Sequence, residues 1–174
     1  SDRGEKTYEN SQKVWCLSSS KILFKETTKY INKTLGLNSF VLSSKFEGDS
    51  KSLVQLYKKA IQDISSPSSQ IERPVVILSG GEVEVKLPDN YGIGGRNSQF
   101  SLELSKEIEG IEGVTALSAD TDGIDGIGEN AGAIVDGLTY RTIRHYYNDV
   151  DPVELYDSFN THEKANTLFY TGPT

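Results

Sequence analysis

Hydrophobic positions along this chain alternate between two spacings. Short continuous apolar runs at Val14-Trp-Cys-Leu17, Phe40-Val-Leu42 and Pro74-Val-Val-Ile-Leu78 read as buried strands. Between them the spacing becomes helical. Ser18–Ser20 can cap a helix running to Leu35, and Gly36 is a natural stop. Asp49 or Ser50 can cap a second helix to about Ile64, which puts Leu53, Leu56, Tyr57, Ala60, Ile61 and Ile64 on one face. Glu82 to Leu87 alternates with period two, as a half-exposed strand or antiparallel hairpin partner does. A helix then runs to about Glu109, with strands at 114–118 and 131–136. Short helices follow at 138–147 and 152–159, and a helical turn at 162–167. This alternation predicts an α/β fold, a three-layer α/β/α sandwich on a mostly parallel, mixed sheet with one antiparallel excursion. Residues 1–12 read as a linker or disordered segment, and 13–174 as a single α/β domain.

Charge changes that picture by marking one region. Net charge is −7, distributed as +4 over residues 1–78, −9 over 79–137 and −2 over 138–174. An acidic, glycine-rich middle argues against nucleic-acid binding, which needs basic surface. No apolar run reaches membrane-spanning length, so no membrane partner is expected. Cys16 stands alone in an apolar stretch, which suggests a buried thiol and a cytoplasmic, reducing setting. The absence of methionine and the abrupt Thr171-Gly-Pro-Thr174 loop suggest a piece of a longer chain.

Three motifs carry candidate chemistry. Ser118-Ala-Asp-Thr-Asp-Gly-Ile-Asp-Gly126 gathers Asp120, Asp122 and Asp125 at the carboxyl end of an expected strand. Packed acids repel, and hard oxygens suit Mg²⁺, so Asp122 and Asp125 are expected metal ligands; an Asp/Gly turn capping its own backbone is the alternative. Gly92-Ile-Gly-Gly-Arg-Asn-Ser-Gln99 opens a helix. Its glycines permit close backbone approach, and Arg96 sits at the helix start against the dipole. A carboxylate or phosphate bound by the guanidinium would explain that position, as would pairing with Glu82. Ser79-Gly80-Gly81-Glu82 ends an apolar strand, where small residues again allow close approach. Glu82 could be a base, a metal ligand or the partner of Arg96, and a plain hairpin accounts for the motif equally well. Neither a Walker phosphate loop nor a G-x-G-x-x-G spacing is present. Glu103, Glu107 and Glu109 read as a solvated helix face, and His145 and His162 as structural residues.

In this order, Ser79-Gly-Gly-Glu82, Gly94-Gly-Arg-Asn-Ser-Gln-Phe100, Ser118–Gly126, Ala131-Gly-Ala-Ile-Val-Asp-Gly137 and Thr171-Gly-Pro-Thr174 resemble the C-terminal, MOFRL-containing part of class II glycerate kinases, the glycerate 2-kinase family. The resemblance implies ATP-dependent, Mg²⁺-supported phosphorylation of D-glycerate to 2-phosphoglycerate, in a cleft shared with an N-terminal domain that this chain lacks. It implies catalytic roles for Arg96, Asp122 and Asp125. It also implies substrate or phosphate binding by Ser79, Gly80, Gly81, Glu82, Gly94, Gly95, Asn97, Thr121 and Gly123. The 174 residues alone are then expected to have little or no kinase activity. A hydroxypyruvate reductase-type oxidoreductase and a non-catalytic small-molecule-binding module are the rival readings. Self-association into a homo-oligomer is left open.

Overall fold

The computed structural model describes residues 19–174 and the short antiparallel strands β1 (Lys6–Thr7) and β2 (Lys13–Val14). Trp15 to Leu17, with Cys16, and most of the expected linker at 1–12 lie outside the described residues. The chain falls into two compact units. One unit holds the described residues up to Phe46 together with Gln70–Glu82, and the other holds Glu47–Ser69 and Val83–Thr174. Each is built from segments distant in sequence, so no linker-like composition marks the division.

In the first unit, helix α1 (Ser20–Lys33) begins where the Ser19 side chain accepts from the Ile22 N–H at 3.3 Å. It stops before Gly36, whose φ of +68° suits glycine. Strand β3 (Asn38–Asp49) pairs with β4 (Val75–Glu84). β4 runs straight through Ser79-Gly-Gly81, which the sequence places at a strand end. The space beside these glycines is filled by the protein itself: a Cβ on Gly80 would meet the Phe24 ring, and one on Gly81 the Phe46 backbone.

The second unit is organised around one helix. Helix α2 (Ser50–Ser65) is capped by Asp49, whose carboxylate accepts from the Ser52 N–H at 2.9 Å, and it buries Leu53, Val54, Ile61 and Ile64. It packs on α3 (Arg96–Glu107), with Tyr57 edge-on to Phe100 and Lys58 paired to Glu107 at 2.6 Å. Every residue of α3 from Ser98 to Ser105 is buried. A helix enclosed on all sides needs small or internally satisfied polar residues. Ser101 donates to the Ala133 carbonyl at 3.3 Å and Ser105 to the Leu102 carbonyl at 2.7 Å. Glu103 departs from the expected solvated face: it is 6% exposed and accepts hydrogen bonds from Ser50 and Gln99, and burial pushes its carboxyl pKa up.

Strands β5 (Thr115–Ala119), β6 (Gly132–Asp136) and β7 (Leu168–Phe169) form a sheet against α3. The mixed α/β class is as expected, but the antiparallel part exceeds the single excursion. β5–β6 and β6–β7 are both antiparallel, with Leu117 opposite Ile134 and Gly132 opposite Phe169. The loop from Asp120 to Ala131 contains no crossover helix, so the chain returns in the opposite direction. Helix α4 (Thr139–Arg144), a 3-10 turn at Pro152–Leu155 and α5 (Ser158–Ala165) close the core, where Leu102, Tyr140, Ile143 and Val153 meet. The expected break between a helix at 152–159 and a turn at 162–167 falls instead at Tyr156 and Asp157. Tyr156 is left-handed at φ +48°. Among the described residues no helix is long and apolar enough to cross a membrane.

Candidate functional site

The first turn of α3 begins at Gly95, which has no side chain to cap it. A carboxylate from elsewhere takes that role. Asp125 accepts at Oδ1 from the Asn97 N–H at 2.9 Å and Asn97 Nδ2 at 3.2 Å. At Oδ2 it accepts from the Ser98 N–H at 2.7 Å and the Ser98 hydroxyl at 2.6 Å. Asp125 is 2% exposed, so these bonds, with the positive end of the helix dipole, are what hold a buried negative charge.

Further groups tie this turn to the rest of the unit. Ser118 at the end of β5 donates to Asn97 Oδ1 at 2.6 Å, which leaves the Asn97 side chain bonded at both ends. Asn130 is fully buried and donates to Ser98 Oγ at 3.0 Å and to the Gly132 carbonyl at 3.1 Å. Its own Oδ1 has no partner, a cost accepted to keep the amide hydrogens on Ser98 and Gly132. His162, also fully buried, donates from Nε2 to the Ser98 carbonyl at 2.9 Å and accepts at Nδ1 from Thr167 Oγ1 at 2.7 Å. This tautomer follows because a carbonyl can only accept, and burial lowers the imidazole pKa to about 4. The structural reading of His162 therefore holds.

The glycines fit the same construction. A Cβ on Gly95 would fall on the Asp125 carboxylate, and one on Gly94 on the Ser158 hydroxyl. Gly123, at φ +85°, lies under the Gly172 carbonyl. Close approach is thus required, but the approaching groups belong to this chain. The segment at 92–95 is stitched to 156–159 through Ile93 N–H to Asp157 Oδ1 at 2.7 Å and Phe159 N–H to the Ile93 carbonyl at 2.9 Å. Thr174 donates from its hydroxyl to the Thr121 carbonyl at 2.6 Å and from its N–H to the Asp122 carbonyl at 3.1 Å, holding the aspartate loop from the other side.

The expected site residues therefore separate by role. Arg96 and Asp122 are both exposed, one just before the capped turn and the other three residues before the capping carboxylate. Among the described residues, Asp122 Oδ1 accepts from the Ile124 N–H at 2.9 Å. Asp125, expected as a metal ligand, serves here as a helix cap, with four donors on its oxygens. Asn97, expected to bind substrate or phosphate, has protein partners at both ends of its amide. Among the described residues no group of three or more His, Cys, Asp or Glu is arranged to hold a metal ion. Ser79, Gly80, Gly81 and Glu82 belong to the other unit. The sequence reading missed Asn130, Ser98 and Ser118. Asn130 had one signal, a polar side chain directly before an apolar strand.

The chain is similar to proteins of one known family. Residues 75–174 match the family model described as the MOFRL family. A D-glycerate 2-kinase of Thermotoga maritima is 32% identical over 150 residues, covering 86% of this chain and 36% of that protein. An Agrobacterium vitis protein that carries a hydroxypyruvate reductase name is 36% identical over 143 residues, covering 80% of this chain and 37% of its own length. The crystal structure of a glycerate kinase from Thermotoga maritima superposes with a TM-score of 0.81 at 28% identity, over 97% of this chain and 44% of that one. The chain thus spans about a third of the length of the curated relatives it matches.

Proposed function

We propose, since the chain belongs to the MOFRL family, that it serves as the C-terminal part of a cytoplasmic, ATP-dependent kinase acting on the 2-hydroxyl of D-glycerate. The observation that carries this reading is the exposed Arg96 on a turn fixed by buried Asp125, with exposed Asp122 on the same loop. Phosphoryl transfer asks a protein chiefly to position reactants and to stabilise charge on the transferred group. Arg96 offers a planar fork of donors to the glycerate carboxylate or to the γ-phosphoryl oxygens. The donor set fits Mg²⁺ in its usual manner, with one or two carboxylates plus water and phosphate oxygens. Asp122 would hold the ion through the oxygen not bonded to Ile124, and the ion would neutralise phosphate charge. In this reading, residues outside the present 174 supply the nucleotide site and complete the cleft.

The test is coupled ADP release by the full-length kinase with ATP, Mg²⁺ and D-glycerate, beside Arg96→Ala. A fall in kcat/KM of about 100-fold or more is expected, the scale for losing one preorganised charge-stabilising group. The hydroxypyruvate reductase name of a relative sets the control. Nicotinamide oxidation with hydroxypyruvate, without ADP release, would replace the kinase reading with a reductase.

A further inference from the structure

We infer that Asp125 is a positioning residue for Arg96, beyond its service as a helix cap. The backbone that follows Arg96 is tied to this one carboxylate, and the residue before it packs against it. Gly95, before it, has its Cβ space occupied by the Asp125 carboxyl group. Asn97 and Ser98, after it, donate both backbone N–H groups and both side chains to Asp125. Arg96 therefore leaves the helix from a backbone held by Asp125, which fixes where its Cα–Cβ bond points. The electrostatics point the same way. A cation at the first position of a helix opposes the dipole, and a buried carboxylate in that turn offsets the penalty.

The clamp has its own support. Asn130 donates to Ser98 Oγ, which donates to Asp125 Oδ2, so each bond polarises the next and fixes the hydroxyl's direction. Ser118 holds Asn97 through the carbonyl end of its amide. Asp122 lies three residues before Asp125 on the same loop, where the Thr174 N–H also holds its carbonyl at 3.1 Å. Loss of Asp125 would then loosen the backbone that carries Arg96, whereas a cap with no positioning role would only lower stability.

This inference rests on the proposed kinase for its activity readout and is independent of it for its spectroscopic one. In the kinase, Asp125→Asn is expected to lower kcat/KM for D-glycerate about 30-fold with Arg96 present and under about 3-fold in the Arg96→Ala background. Equal losses in both backgrounds, measured on folded protein, would overturn the positioning role. Ser98→Ala removes only part of the clamp and covers the case in which Asp125→Asn does not fold. It is expected to cost about 5-fold with Arg96 and nothing without it. Independently, ¹⁵Nε relaxation of Arg96 in the full-length protein should report an ordered side chain that becomes mobile in either variant below its unfolding transition. An Arg96 side chain equally ordered before and after would refute the inference. Absence of glycerate-dependent ADP release from the wild type would sink the kinase reading alone and leave the relaxation result to decide.

Discussion

Replacing Gly95 with alanine separates the two reasons a protein keeps a glycine. Gly95 has φ −129° and ψ 177°, extended backbone open to any residue, so conformational freedom is not the reason. Space is the reason, because the new methyl would land on the Asp125 carboxyl group and backbone. To admit it, Asp125 must withdraw from the turn. Asp125 accepts four hydrogen bonds there. Bonds to a charged group contribute about 1.5–3 kcal/mol each, so losing two costs about 3 kcal/mol or more. At about 2–4 °C per kcal/mol for a chain of this size, the melting temperature falls by about 6–12 °C. Gly110→Ala is the control. Gly110 has φ +79° and nothing within 4 Å of its added Cβ, so it bears only the left-handed backbone cost of about 1 kcal/mol. Urea unfolding at pH 7 measures both variants. If Gly95→Ala costs no more than Gly110→Ala, Asp125 does not occupy that turn and the account of the site fails.

Three further outcomes follow from the same geometry. Asp122→Asn should change stability by no more than about 0.5 kcal/mol, since the residue is exposed and accepts one bond, yet raise the Mg²⁺ needed for half-maximal kinase activity about tenfold; a large stability loss with unchanged Mg²⁺ dependence would argue the reverse. His162, with its pKa lowered from 6.5 to about 4, contributes stability that is present above pH 6.5 and lost as pH falls through 4, about 3 kcal/mol in all. His162→Gln keeps a donor and an acceptor and should remove that acid-side loss in urea titrations at pH 7.5 and 4. Glu103 works in the opposite sense, because a raised carboxyl pKa means stability is gained as pH falls toward 4.5. Glu103→Gln should be as stable as the parent at pH 7, or more so by about 1 kcal/mol, and should lack that gain; a loss above about 2 kcal/mol would contradict it.

Local signals were read well where the partners are near in sequence. Ser19 and Asp49 cap helices that start where expected, and Gly36 ends α1. On the expected face of α2, Leu53, Ile61 and Ile64 are buried and Tyr57 and Ala60 partly so, while Leu56 is exposed and Val54 is buried in addition. Misreadings cluster where the partner is distant. Nothing near Asp125 in sequence signals the cap it forms, because its donors lie 27 and 28 positions earlier. Glu103 has helix-face spacing, but α2 covers it through Ser50, 53 positions away. Ser79-Gly-Gly81 looked like a strand end, and it continues β4 because Phe24 and Phe46 fill the space beside its glycines.

The sequence by itself determined the helices, most strand positions, the α/β class and the motifs that identify the family. These depend on periodicity, capping and turn chemistry, which act over a few residues. Only the tertiary structure decided which acid faces water and which is consumed as a cap. It also decided that the glycines accommodate the chain's own loops and that β5–β6–β7 run antiparallel. A carboxylate's role depends on whether protein donors or solvent surround it, and those neighbours are assembled by folding rather than by adjacency along the chain.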